Sequence, residues 1–132
     1  MSQSEIQNEI LSQILIGIER IERRFVGIER PFDFLSGNEG LDKLDGIAMM
    51  LITIGESLKN FEKVGGSKFL ESHPDVDWKG IKGMRDILSH HYFNIDEEIV
   101  FQICTEHISP LKQVILQIKH VVNNSSTDNE SK

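Results

Sequence analysis

Four stretches of helical apolar periodicity, short connections and no alternating strand pattern predict an all-α fold, an antiparallel four-helix bundle. The apolar faces are wide for 132 residues, which predicts a homodimer. With 39% hydrophobic residues the chain can build one modest core and not two. Residues 1–122 therefore read as one helical domain. Residues 123–132 have no large apolar side chain and read as a disordered polar tail.

The first helix is expected over residues 4–30, with Ile10, Ile14, Ile18, Ile21, Phe25 and Ile28 on one stripe and charged residues opposite. Pro31 disfavours helical backbone at Arg30, and the run Ser36-Gly37-Asn38-Glu39-Gly40 reads as a loop. A second helix is expected over 41–64, with Leu44, Ile47, Ala48, Leu51, Ile52, Gly55 and Leu58 facing the core. Gly55 there permits another backbone to approach, and Gly65-Gly66 stops the helix.

Asp77 is a plausible N-cap for a third helix starting near Trp78 and loosening near Ser89. Asn94, three residues before Glu97, has the form of a capping box for the last helix. The stripe Val100, Ile103, Cys104, His107, Leu111, Val114, Ile115, Ile118, Val121 and Val122 keeps its phase through Pro110. One helix kinked near Pro110 is expected, with His107 a satisfied core histidine.

The chain carries 14 basic and 21 acidic residues, a formal net charge of −7. That balance argues against a general nucleic-acid coat and leaves room for a small, salt-sensitive basic site. One cysteine, Cys104, precludes an intrachain disulfide or a cysteine zinc site. Neither a signal segment nor a run of ~18 apolar residues is present, so a cytoplasmic, membrane-free placement is expected. No His and carboxylate pairing has convincing metal spacing: His90 and His91 are adjacent and point to different faces. No metal and no cofactor are expected.

The densest chemistry lies at Met84-Arg85-Asp86-Ile87-Leu88-Ser89-His90-His91-Tyr92, where a permanent cation, two imidazoles and a phenol fall within eight residues. At about 100° per residue, Arg85 and Tyr92 share the apolar sector of Trp78, Ile81, Met84, Leu88 and Ile95. A guanidinium there must be paired, snorkel to an edge or meet a second surface. His90 lies about 140° from Arg85 on a regular helix, so the two converge only where the helix ends or distorts. Arg85 can alternatively be a bundle arginine paired with an internal acid such as Glu56, and Glu56 can be an ordinary edge acid. Tyr92 can be a core tyrosine with its hydroxyl at the surface. His91 either flanks the site or fills a gap in the apolar face.

The spacing Arg85, His90, Tyr92 has the form R-x4-H-x-Y and resembles the HepT branch of the HEPN superfamily, the toxin half of HepT/MntA toxin-antitoxin pairs. The resemblance extends from Ile54-Gly55-Glu56 through the segment Asp77-Trp78-Lys79-Gly80-Ile81-Lys82-Gly83-Met84 to Asn94-Ile95-Asp96. Many members carry Asn where this chain has Asp86, which stands in a supporting position. The resemblance implies a HEPN-like dimer whose two motif segments meet in a composite cleft. It also implies metal-independent endoribonuclease activity and an MntA-like nucleotidyltransferase antitoxin that transfers AMP to Tyr92.

The residue chemistry fits that expectation. An imidazole such as His90 can act as base or acid near neutral pH, and Arg85 can grip two phosphate oxygens. One protomer offers one motif histidine, so base and acid together require two copies. The alternative is a non-catalytic helical module that binds a nucleotide or a partner nucleotidyltransferase through the same residues.

Overall fold

The computed structural model describes residues 1–88 and 94–130, with side chains described through residue 125. Helix α1 (Gln3–Phe25) opens on Ser2, whose hydroxyl accepts the Glu5 N–H at 3.2 Å. It ends five residues short of Arg30. Gly27 takes a positive φ of 87°, which glycine adopts without a Cβ clash, and the chain turns away before Pro31. A single 3₁₀ segment (Pro31–Leu35) follows. Asp33 accepts the Glu29 N–H at 2.9 Å and the Arg30 N–H at 3.2 Å. Those bonds hold its carboxyl below the usual carboxylate range, the Glu29 N–H first among them.

Helix α2 (Asn38–Phe61) starts three residues earlier than the periodicity suggests and runs antiparallel to α1. Its register against α1 is read from Gly17 against Ile54, Arg24 over Gly46, and the Gln7 amide donating to Val64 O at 2.7 Å. That last bond satisfies the one buried polar side chain among the described core residues. At Val64 and Gly65 the backbone leaves helical φ/ψ, as the glycine pair leads one to expect. The chain then re-enters a short helix, α3 (Ser67–Glu71), that periodicity does not reveal because it is barely one turn.

The third rod is two pieces, α4 (Trp78–Lys82) and α5 (Met84–Leu88), broken at Gly83. Asp77 caps α4 as expected, its carboxylate accepting the Gly80 N–H at 3.0 Å. Helix α6 (Glu97–Glu106) is capped by Asp96, which accepts from Glu98 N–H and Ile99 N–H. Asn94 is therefore not the cap; a side chain adjacent to the first helical residue reaches those amides better than one two residues further back.

The bend near Pro110 is a one-residue break at His107, after which α7 (Ile108–Glu130) begins. Pro110 sits in the first turn of α7, where its missing N–H costs no helical bond. The break also corrects the place of His107. Its side chain is 64% exposed, and Ile108 is buried in its stead. The helical backbone of α7 continues to Glu130, through most of the segment that composition marks as a disordered tail.

The bundle is thus α1, α2, the broken α4 and α5 rod, and the bent α6 and α7 pair, around a core that includes Leu11, Ile14, Ile18, Ile47, Leu58, Ile115 and Ile118. The Lys112 ammonium donates to Glu22 Oε1 at 3.1 Å, joining α7 to α1 at the surface. Among the described residues no helix is long and apolar enough to cross a membrane. Ile47 is 0% exposed and Met49, two residues on, is 59% exposed. Ile47→Ala should therefore lower the unfolding free energy in urea by about 2–5 kcal/mol. Met49→Ala should stay within about 0.5 kcal/mol of the parent.

Candidate functional site

The entry to α4 is fixed from outside the helix. Trp78 Nε1–H is shared between Leu70 O at 2.9 Å and His73 O at 3.0 Å, which ties the start of α4 to the end of α3. The helix then crosses α2 with its backbone against Gly55, where a Cβ would stand 2.4 Å from Ile81 O and 3.5 Å from Lys82 Cα. Only a residue without a side chain admits this approach. Two ion pairs flank the crossing, Lys82 Nζ to Glu62 Oε1 at 2.7 Å and Arg85 Nε to Glu56 Oε1 at 3.7 Å.

The break at Gly83 decides what α5 presents. Asp86 N–H and Ile87 N–H both donate to Gly83 O, so a new turn starts there with Met84 and Leu88 as its buried pair. Arg85 is consequently not in the apolar sector. Its side chain is 66% exposed, and Asp86 beside it is exposed as well. The inward sector of so short a helix is only as wide as an i, i+4 pair, and Arg85 lies at its edge. Glu56 also approaches Lys59 at 3.7 Å, so the acid that holds Arg85 is shared with a second cation. His90, His91 and Tyr92 lie outside the described residues, as does the loosening expected at Ser89.

The other basic side chains are placed unevenly. Lys82 is engaged by Glu62, while Arg24 lies along Gly46 of α2 with Nη1–H donating to Arg20 O at 3.3 Å. Among the described residues no group of three or more His, Cys, Asp or Glu side chains could hold a metal ion. Cys104 is no candidate nucleophile, because burial pushes its thiol from 9.0 up to about 12. The structure supplies the backbone that approaches Gly55, that of Ile81, and adds the contact partner Glu62. For Gly55 the signal was present, a glycine on an apolar helix face; for Glu62 there was none, since its partner lies twenty residues away.

An all-α bundle that displays an arginine on a short helix next to the externally braced α4 is the architecture in hand. The family described as Ribonuclease HepT-like matches residues 14–118, and the chain belongs to that family. It is 33% identical over 81 residues to "Putative RNase MJ0127" of Methanocaldococcus jannaschii, covering 61% of this chain and 61% of that protein. It is 38% identical over 65 residues to "Putative RNase TTE0752" of Caldanaerobacter subterraneus subsp. tengcongensis, 49% of this chain and 54% of that one. It is 36% identical over 59 residues to "Probable ribonuclease HepT" of Thermococcus cleftensis, 45% and 50% of the two chains. The matched part spans between half and about three fifths of the length of these relatives. No solved structure matches significantly.

Gly55→Ala should force α2 and α4 apart and lower stability by about 1–3 kcal/mol in chemical denaturation. Unchanged stability would mean that α4 does not seat on α2 as described. Cys104 should react with iodoacetamide at pH 8 at least about 100-fold more slowly in the native chain than in urea, since the thiolate is suppressed. A folded pKa raised above the unfolded one adds stability below the unfolded value and loses it as pH rises through the folded value. Stability should therefore fall between pH 9 and about 12 from this group.

Proposed function

We propose that the chain is the toxin of a HepT/MntA-like toxin-antitoxin pair, a metal-independent endoribonuclease working as a homodimer with a composite site at Arg85 and His90 of both copies. The observation that carries this reading is the exposed Arg85 on the short helix that follows the braced α4, five residues before a motif histidine, in a chain of the HepT-like ribonuclease family. Arg85 supplies the cation for the phosphate. One His90 takes the proton of the RNA 2′-hydroxyl, and the 2′-oxygen attacks phosphorus. The bond from phosphorus to the 5′-oxygen breaks, and the second His90, as imidazolium, gives its proton to that leaving oxygen. Base, acid and counter-charge are then all side chains.

The Glu56 pair suits such a role. At 3.7 Å between half-exposed groups it contributes no more than about 1 kcal/mol, so a phosphate can displace the carboxylate. Asp86 beside Arg85 adds a negative charge that opposes phosphate, so the attraction rests on the Arg85 guanidinium. AMP transferred to Tyr92 by an MntA-like nucleotidyltransferase would place a phosphate in the same neighbourhood, blocking RNA and occupying Arg85.

Arg85→Ala and His90→Ala should each lower RNA cleavage by at least about 100-fold and abolish growth toxicity while leaving the helical content unchanged. If His90→Ala cuts RNA and arrests growth like the parent, the enzymatic reading fails. The same residues then serve a module that binds a nucleotide or a nucleotidyltransferase. Co-expression with an MntA-like nucleotidyltransferase should raise the intact mass by whole adenylyl groups located on Tyr92, and an unshifted mass would contradict the modification.

A further inference from the structure

A groove of about 330 Å³ runs between the broken α4 and α5 rod and the bend from α6 into α7. Its wall is apolar and incompletely covered, with Val76, Ile81, Ile99 and Ile103 only partly buried against the core. Among the described residues the polar side chains on it are few: Asp75 and Asp77 at the entry to α4, with Gln102 and His107 opposite. Neither lysine nor arginine lines it among the described residues, and Glu106 stands 3.9 Å from His107. The size lies at the lower end of ligand pockets, ~300–1,000 Å³, and the shape is a slot between helices.

We propose that this groove docks a cationic amphipathic segment of a partner protein, with aliphatic anchors on the apolar wall and a lysine or arginine on the Asp75 and Asp77 lip. Charge decides the occupant. A nucleic acid or an anionic lipid surface would set phosphates against two carboxylates on a chain of net charge −7. A second copy seated here across a two-fold axis would offer the lip only other groups of this same patch, and none of its described lining residues is a lysine or arginine. A helix with apolar residues at i, i+3, i+4 and i+7 and basic residues beside them meets both requirements.

The groove also reaches the arginine-bearing helix from behind. Met84 and Ile87 line it while Arg85 and Asp86, between them in sequence, face away. The groove is bounded by the two one-residue helix breaks, at Gly83 and His107. A docked segment would therefore brace α5 on the face opposite Glu56. The proposal stands independently of the ribonuclease reading.

The test titrates the full chain with a labelled synthetic peptide, leucine at i, i+3, i+4 and i+7 and lysine between, against a control with glutamate for lysine. Saturable one-to-one binding of the lysine peptide alone is expected, with amide shifts at residues 75–77, 81, 99–103 and 107–108. Asp75→Lys, an exposed position, should weaken it roughly three- to tenfold, and Ile103→Glu should abolish it. Equal binding of both peptides, shifts elsewhere, or affinity untouched by Asp75→Lys overturns the proposal. So does a dimer that Ile103→Glu, still folded, converts to monomer, for the occupant is then a second copy.

Discussion

The contact of one carbonyl with one glycine sets the geometry of the described part of the candidate site. Because Ile81 O rests on α2 at Gly55, the α4 backbone lies as near to α2 as two helices can come, and Glu56, the next residue of α2, is carried under Arg85. Lys82 and Glu62 close the same crossing at its other end. Backbone packing therefore carries Arg85 and Glu56 together. The exposure of that pair matters chemically, since a cation held by a strong buried pair would be unavailable, whereas one held at 3.7 Å in partial solvent can change partners.

Charge is the second constraint. A chain of net charge −7 cannot gather RNA by a general field, and the acids nearest Arg85 are Glu56 and Asp86. Arg20, Arg23 and Arg24 belong to the end of α1, where Arg24 is laid flat over Gly46, and they form a separate basic region. The acidic excess is better suited to recruiting cationic protein surfaces, as the lip at Asp75 and Asp77 illustrates. One body can thus hold a local phosphate site and a distinct face that repels phosphate.

Much of the fold was legible because long stripes average out local errors. The buried positions Ile14, Ile18, Leu44, Ile47, Leu51 and Leu58 follow from a 3.6-residue period alone. Two of the misreadings sit where a single residue interrupts a helix. The one-turn α5 after Gly83 buries Met84 and Leu88 and leaves Arg85 outside; His107 rephases the last rod and hands its core place to Ile108. Periodicity carried through such a break assigns the wrong side chain to the core even when both flanking helices are correct. The pairing of Arg85 with Glu56 was one of the alternatives open from sequence, and only the crossing at Gly55 shows why those two meet.

The central claim is that Arg85 exchanges a carboxylate for a phosphate shared with His90. The most direct measurement is a crystal structure of the chain with an RNA whose 2′-hydroxyls are methylated and cannot attack. The account predicts a phosphate on the Arg85 guanidinium, Glu56 released from it, and an imidazole of His90 from each of two copies beside the scissile position. A bound RNA whose phosphates avoid Arg85, with the Glu56 pair intact and a single His90 nearby, would contradict it.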